Sequence, residues 1–231
     1  MHDLSTRSTH LAELMDDADC DRAALDRTYR RFLYVNAVVS GWRATYRDVI
    51  RPLLSATETR TLLDVGSGGG DLSRSLARWA ARDGLRLEVT GVDPDPRAQE
   101  FAASVASPGV RFVTARAEEL DEQFDFVISN HVLHHVDDLE GFLASTSARA
   151  RVLTVHADIE RSRFAYRAFA TGTTLAWPAL RGSFIRPDGL TSIRRAHRAA
   201  ELRERLADTD WRVIPRIPAH YLLMRVSRAR A

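Results

Sequence analysis

The sequence contains no lysine, a single cysteine and no long uninterrupted apolar run among its 231 residues. Cys20 has no partner for an internal disulfide, and one cysteine gives no recognisable metal-binding pattern. No segment approaches the roughly 20 apolar residues that a membrane-spanning helix needs, and the first ten residues lack the apolar core of a secretion signal. We therefore expect a cytoplasmic protein without a membrane span.

Charge and composition indicate which classes of protein the chain can belong to. All 33 basic residues are arginine, and 31 acidic residues leave a formal net charge of only +2. The two signs are interleaved along the chain, whereas nucleic-acid binding typically needs a basic block, so no nucleic-acid partner is expected. An apolar share of 45% and a charged share of 28% are typical of a globular protein, and the length suits one domain.

A glycine-rich stretch at residues 62–71, LLDVGSGGGD, organises the chain. Apolar residues run into closely spaced glycines and then into a helix-compatible segment, which predicts a strand, a tight turn and a helix. Glycine lets the backbone approach a ligand closely, and the free amides of the following helix would face that ligand. A dinucleotide-binding G-x-G-x-x-G pattern counted from Gly66 would need glycine at Asp71. The alternating pattern of Asp64, Gly66, Gly68 and Gly70 therefore differs from the dinucleotide-binding pattern.

Two later strands are predicted to end at the same edge of a parallel sheet. Residues 85–93 alternate and end on Asp93, which can accept hydrogen bonds from both hydroxyls of a ribose. A role as helix cap is the alternative for Asp93. Residues 124–129 form a further strand that runs into the sequence NHVLHHVDD.

These motifs together resemble those of class I S-adenosylmethionine (SAM) dependent methyltransferases, in particular bacterial quinone-biosynthesis and small-molecule enzymes. The resemblance covers roughly residues 21–226. It implies an α/β fold with a doubly wound, Rossmann-like sheet of seven strands, helices on both faces and an antiparallel final strand. It implies SAM as cofactor and S-adenosylhomocysteine (SAH) as product. The cofactor-binding residues that it implies are Arg43, Asp64, Gly66, Ser67, Gly68, Gly70, Asp93, Pro94, Ala117, Glu118, Ser129 and Asn130. Position 116, where the family often has an acid, holds Arg116, which puts the Ala117 and Glu118 assignment to adenine in doubt.

Histidines supply the candidate general bases. Imidazole titrates near neutral pH and can take a proton from an attacking hydroxyl, so His131, His134, His135 and His197 are candidates. Helix capping and core packing are the alternative roles. The sequence offers no third ligand at a recognisable spacing from the clustered histidines, so no metal is predicted.

The predicted organisation is a polar arm followed by a single methyltransferase domain. The boundaries are 1–20 for the arm and 21–231 for the domain, which divides into an N-terminal helical lid (21–55), a SAM-binding core (60–158), a substrate-cover insertion (159–190), and a last helix with closing strands (191–231). A turn is predicted at Pro187–Gly189.

The expected reaction is in-line transfer of the SAM methyl group to a small phenolic, quinone-like or polyketide acceptor, at oxygen or carbon, in secondary metabolism. A SAM-binding protein without catalysis is the first alternative, and a nicotinamide-dependent oxidoreductase is the second. The sequence leaves the acceptor and the oligomeric state open.

Overall fold

The computed structural model describes residues 3–105 and 107–227. Its centre is a seven-stranded sheet with the order β3-β2-β1-β4-β5-β7-β6. The strands are β1 (Arg60–Val65), β2 (Leu87–Asp93), β3 (Val110–Thr114), β4 (Phe124–Asn130), β5 (Ala150–Ile159), β6 (Arg212–Arg216) and β7 (His220–Val226). Strands β1 to β5 pair in parallel, and β7 is antiparallel to both β5 and β6. The predicted fold class, including the antiparallel final strand, is confirmed.

Helices connect the strands and cover the sheet. They are α1 (Arg22–Val39), α2 (Trp42–Thr45), α3 (Asp71–Arg82), α4 (Pro96–Ala103), α5 (Leu139–Ala148), α6 (Arg163–Leu175), α7 (Trp177–Leu180), α8 (Ile185–Arg195) and α9 (Ala199–Arg205). Within the described residues, no helix is both long and apolar enough to cross a membrane.

The central strands are apolar on both faces because both faces are covered. Successive residues of β1 point to opposite sides, so Leu62 packs with Phe126 and Ile128 in one core cluster while Leu63 packs with Val127 in another. All five side chains are essentially inaccessible to solvent. This double burial fixes the register of the sheet and therefore the positions of the loops at its edge.

The N-terminal arm is more ordered than a loose polar segment. Leu4 and Glu13 are buried, and Asp188 accepts hydrogen bonds from the amides of Leu14 and Met15 at 2.8 and 3.0 Å. The arm therefore packs against α8. The first two residues of the predicted arm and residues 228–231 of the predicted closing segment lie outside the described residues.

The substrate-cover segment is helical throughout most of its length. The turn predicted at Pro187–Gly189 is wrong, because these residues lie in the first half of α8. Proline is tolerated in the first turn of a helix, where its missing amide has no partner within the helix. Gly189 packs directly against the ring of Phe169 from α6, so a side chain at position 189 would clash with that ring.

Candidate active site

A cavity of about 770 Å³ opens at the carboxyl edge of the sheet. Its floor comes from the residues that follow β1, β2 and β4, and its walls come from α1, α8 and the N-terminal arm. This is the edge at which open α/β sheets bind ligands. The volume lies within the ~300–1,000 Å³ range of small-molecule sites.

The glycine turn after β1 forms one end of the cavity. Gly66 and Gly68 adopt positive φ values of 68° and 50° and line the cavity together with Ser67. The amides of Gly66 and Ser67 donate to the Val92 carbonyl at 2.8 and 3.0 Å, which ties the turn to β2. A Cβ atom on Gly66 would lie 2.6 Å from Val132 Cγ2, so this position needs glycine for space as well as for conformation.

Asp93 lies at the end of β2 beside this turn, and Pro94 lines the cavity next to it. Its carboxylate accepts hydrogen bonds from the Gly68 amide at 2.8 Å and the Asp95 amide at 2.9 Å. Burial raises the pKa of Asp93, and these two amides oppose the rise. Asp95, which caps α4, takes the capping role that was the alternative for Asp93. The Asp93 carboxylate is held in place at the cavity wall by backbone donors.

Asp64 adds a second carboxyl group beneath the glycine turn. It is buried, lines the cavity and accepts a hydrogen bond from Ser73 Oγ at 2.6 Å. Burial raises the pKa of Asp64 to about 7 even though the Ser73 hydrogen bond lowers it. This carboxyl group therefore changes its charge near neutral pH, beside the space where a ligand would lie.

Asn130 and His131, which follow β4, also line the cavity, and the next residue, Val132, packs against the glycine turn. His131 has a φ of 59°, which is unusual for a residue other than glycine, and its Nδ1 lies 3.5 Å from Asp158 Oδ1. Burial would raise the pKa of Asp158, but His134 and the hydrogen bonds from both histidines lower it far below its usual range. Asn130 Oδ1 accepts a hydrogen bond from Trp42 Nε1 at 2.9 Å.

His134 and His135 lie on the cavity wall beside the N-terminal arm. His134 is almost fully buried, with its Nδ1 2.9 Å from Asp158 Oδ1 and its Nε2 3.3 Å from Glu13 Oε1. Burial lowers the pKa of His134, but the attraction of Asp158 and Glu13 outweighs burial and raises it to about 10. The two carboxylates therefore favour the protonated form of His134 when no other cation lies between them.

His197 is not among the residues that line the cavity, and its role as a general base stays a prediction. This histidine is buried on another part of the chain, away from the lining of the cavity. Burial and the nearby Arg7 lower the pKa of His197 to about 4.

Two of the predicted cofactor-binding residues, Arg43 and Gly70, lie outside the cavity lining. Arg43 lies outside the cavity lining, with its guanidinium 5.0 Å from the ring centre of Trp79. Gly70 adopts a φ of 75° at the start of α3 and faces the ring of Phe112 instead of the cavity.

Three further predicted cofactor-binding residues, Ala117, Glu118 and Ser129, are also outside the cavity lining, and their contacts with the cofactor stay predictions. Ala117 is packed in the core, and Glu118 is exposed outside the cavity lining. Ser129 is fully buried, and its Oγ lies 2.8 Å from His156 Nδ1, behind the lining. Each of these three residues has a role in packing or at the surface that its sequence position alone did not indicate.

The structure adds cavity residues that the sequence had not indicated. Glu13 reaches the cavity from the arm, and the buried Asp158, which is outside the lining, orients both His131 and His134. Tyr29 of α1 packs on Gly69, where a Cβ atom would lie 2.8 Å from Tyr29 Cβ. The position of Asp158 near the carboxyl end of β5 was a usable signal, because this is the edge where ligands bind. No local pattern marks Glu13.

Comparisons with known proteins agree with this geometry. Residues 63–165 match a family described as "Methyltransferase domain". The chain is 32% identical over 196 residues to a ubiquinone biosynthesis O-methyltransferase of Paramagnetospirillum magneticum, and the alignment covers 75% of each chain. A magnesium protoporphyrin IX methyltransferase from Synechocystis PCC 6803, solved with bound SAH, has a TM-score of 0.53 at 16% identity over 93% of this chain and 91% of that one. A plantazolicin methyltransferase solved with SAH has a TM-score of 0.59 at 10% identity, covering 90% and 95%.

The structural likeness, at such low identity, defines the fold as the Rossmann-like methyltransferase class. The sequence relationship goes further: the chain belongs to the class I SAM-dependent methyltransferases. It is therefore an enzyme that uses SAM, and the nicotinamide-dependent alternative is set aside.

Proposed function

We propose that this methyltransferase transfers the SAM methyl group to a hydroxyl oxygen of a small aromatic acceptor of the phenolic or quinol type. The observation that carries the proposal is one cavity lined by the glycine turn, by Asp93 and by His131, whose Nδ1 lies 3.5 Å from Asp158 Oδ1. The similarity to a ubiquinone biosynthesis O-methyltransferase supports an acceptor of this kind.

The cofactor end of the cavity suits a nucleoside that carries positive charge. In the proposal, the Asp93 carboxylate accepts both ribose hydroxyls, and the backbone at Gly66 to Gly68 and at Asn130 contacts the methionine part. SAM bears a sulfonium cation, so the ionised form of Asp64 stabilises the bound cofactor electrostatically. Positioning in a site that excludes water supplies much of the catalysis, because the sulfonium is already activated.

The acceptor end of the cavity is mostly apolar. The hydrophobic side chains that line it come from α1, α6 and α8, namely Phe32, Val35, Val39, Phe169, Ile185 and Ile193. Aromatic and branched side chains around few polar groups are typical of sites for small aromatic ligands. An acceptor ring in this space places its hydroxyl between the sulfonium methyl and the histidine wall.

His131 is the general base in this proposal. Its Nδ1 faces the ionised Asp158, so the proton on that nitrogen is fixed and Nε2 is the nitrogen free to take a proton. Nε2 takes the hydroxyl proton as the oxygen attacks the methyl carbon, the carbon–sulfur bond breaks, and its electron pair leaves with SAH. The positive φ of His131 costs ~1–3 kcal/mol of strain, which is common where a residue is positioned for function.

The experiment measures transfer of an isotopically labelled methyl group from SAM to a panel of catechols, hydroquinones and hydroxylated polyketides. Product structures distinguish oxygen from carbon methylation. His131→Ala is expected to lower kcat by ~10²–10⁴-fold while SAM affinity is retained. His10→Gln is the matched control, because His10 is exposed and lies outside the cavity lining. Unchanged kcat in His131→Ala, or SAM binding without transfer to any acceptor, would contradict the proposal.

A further inference from the structure

Two imidazole rings and one carboxylate converge on the wall of the cavity. The coordinating atoms of Glu13, His134 and His135 all lie within 4.8 Å of one another. Glu13 and His134 are buried, and His135 is about one-third exposed. The three residues line the same cavity as the glycine turn and Asp93. They come from the N-terminal arm and from the loop after β4, so the tertiary fold brings them together.

The distances within this group are unlike those of ordinary hydrogen bonds. Glu13 Oε1 lies 3.3 Å from His134 Nε2 and 3.6 Å from His135 Nε2. Hydrogen bonds between nitrogen and oxygen are usually 2.7–3.2 Å long. In contrast, neighbouring ligand atoms around a tetrahedral ion with bonds of ~2.0–2.1 Å lie ~3.4 Å apart. The separations match a shared cation better than direct hydrogen bonds.

Each of the three residues also has a partner that orients it. His134 Nδ1 lies 2.9 Å from Asp158 Oδ1, and His135 Nδ1 lies 3.3 Å from Asp16 Oδ2. Glu13 Oε1 accepts a hydrogen bond from Ser192 Oγ at 2.6 Å. A histidine that binds a metal through one nitrogen almost always donates the other N–H to a carboxylate, carbonyl or water. Both histidines have this arrangement, with Nε2 directed at the same oxygen.

We propose that Glu13, His134 and His135 bind a single divalent transition-metal ion, and that the remaining coordination position opens into the cavity. Imidazole ligands favour zinc, copper, iron or nickel, and two histidines with one glutamate form a ligand set found in catalytic zinc sites. Zinc is the ion that we expect. Glu13, Asp16 and Asp158 bring three carboxylates to two imidazoles, which gives the group the negative charge that a divalent ion would offset.

The test measures metal binding directly. The purified full chain is stripped with a chelator and titrated with Co²⁺, whose visible absorption reports coordination, and with Zn²⁺ by calorimetry. We expect one ion per chain, and loss of the high-affinity site in Glu13→Gln and in His135→Ala. Asp16→Asn changes only an orienting partner, so it is expected to weaken binding by ~10–100-fold. His10→Ala and Glu118→Gln, both at exposed positions, are the matched controls and should bind as the wild type does.

Two results would overturn the proposal: no Co²⁺ or Zn²⁺ binding to the wild type, or binding that is equal in the wild type and the Glu13, His135 and Asp16 variants. The near-isosteric Glu13→Gln and the partly exposed Asp16→Asn guard against loss of folding, which circular dichroism checks. Asp93→Ala separates this proposal from the proposed function, because it should weaken SAM binding and leave metal binding unchanged.

Discussion

Replacing Asp93 by alanine probes the cofactor end of the site. The carboxylate accepts hydrogen bonds from the Gly68 and Asp95 amides, and in the proposed function it also accepts two ribose hydroxyls. Hydrogen bonds to a charged group contribute ~1.5–3 kcal/mol each, so losing both ribose contacts costs ~3 kcal/mol or more. That free energy corresponds to a SAM affinity at least ~100-fold weaker. Asp93→Asn keeps one acceptor oxygen without the charge and should lose ~10-fold.

The assay is calorimetric titration with SAM and SAH, with NADH as a check of cofactor specificity. Thermal unfolding is followed in parallel, because Asp93→Ala leaves the two amides without their acceptor and should lower stability as well. Glu204→Gln is the control, since Glu204 is exposed outside the cavity lining and its change should leave SAM affinity as it is. A folded Asp93→Ala protein that binds SAM within about threefold of the wild type would refute the ribose assignment.

Three further predictions concern the same region. Burial raises the pKa of Asp64 to about 7, and cationic SAM favours the ionised form of this carboxyl group. SAM affinity should therefore rise as the pH approaches that pKa from below and level off above it, with proton release detected by calorimetry. A SAM affinity that does not vary with pH would contradict this prediction. Gly66→Ala should lower the free energy of unfolding in urea by ~1–3 kcal/mol, because it combines a positive φ with a clash against Val132, and adding Val132→Ala should restore only the steric part. Trp42→Phe leaves Asn130 Oδ1 without its donor and should cost ~1–3 kcal/mol in the same assay; unchanged stability would mean that this hydrogen bond contributes nothing.

Local sequence patterns were sufficient to predict most of the fold and several residues that line the cavity. The glycines after β1 and the acid at the end of β2 are close in sequence to the strands that position them, so strand prediction also placed them in space. The fold class followed from the strand and helix order, because parallel strands joined by helices have few alternatives. Asp64, Gly66, Ser67, Gly68, Asp93, Pro94 and Asn130 all line the cavity.

Side-chain direction and long-range packing explain why the residues that line the cavity differ from the predicted set. Arg43 lies in the predicted N-terminal helical region, but its guanidinium packs on Trp79 and is not part of the cavity lining. The sequence did not predict that Glu13 lines the cavity, because its neighbours in space, His134 and Ser192, are far away in sequence. The prediction that no metal binds rested on ligand spacing along the chain. Such spacing cannot register a ligand that an unrelated segment supplies.

The division of the cavity between chain segments has a consequence for how such enzymes diverge. Residues 63–165, which match the family, include the glycine turn, Asp93 and the three clustered histidines. The arm and α8 lie outside that range and form the remaining wall. In the proposed function, the methyl donor is therefore bound mainly by residues 63–165, and the acceptor is bound largely by residues outside that range. A chimaera that exchanges residues 3–58 and 160–206 with a relative should adopt that relative's acceptor and keep the same methyl donor.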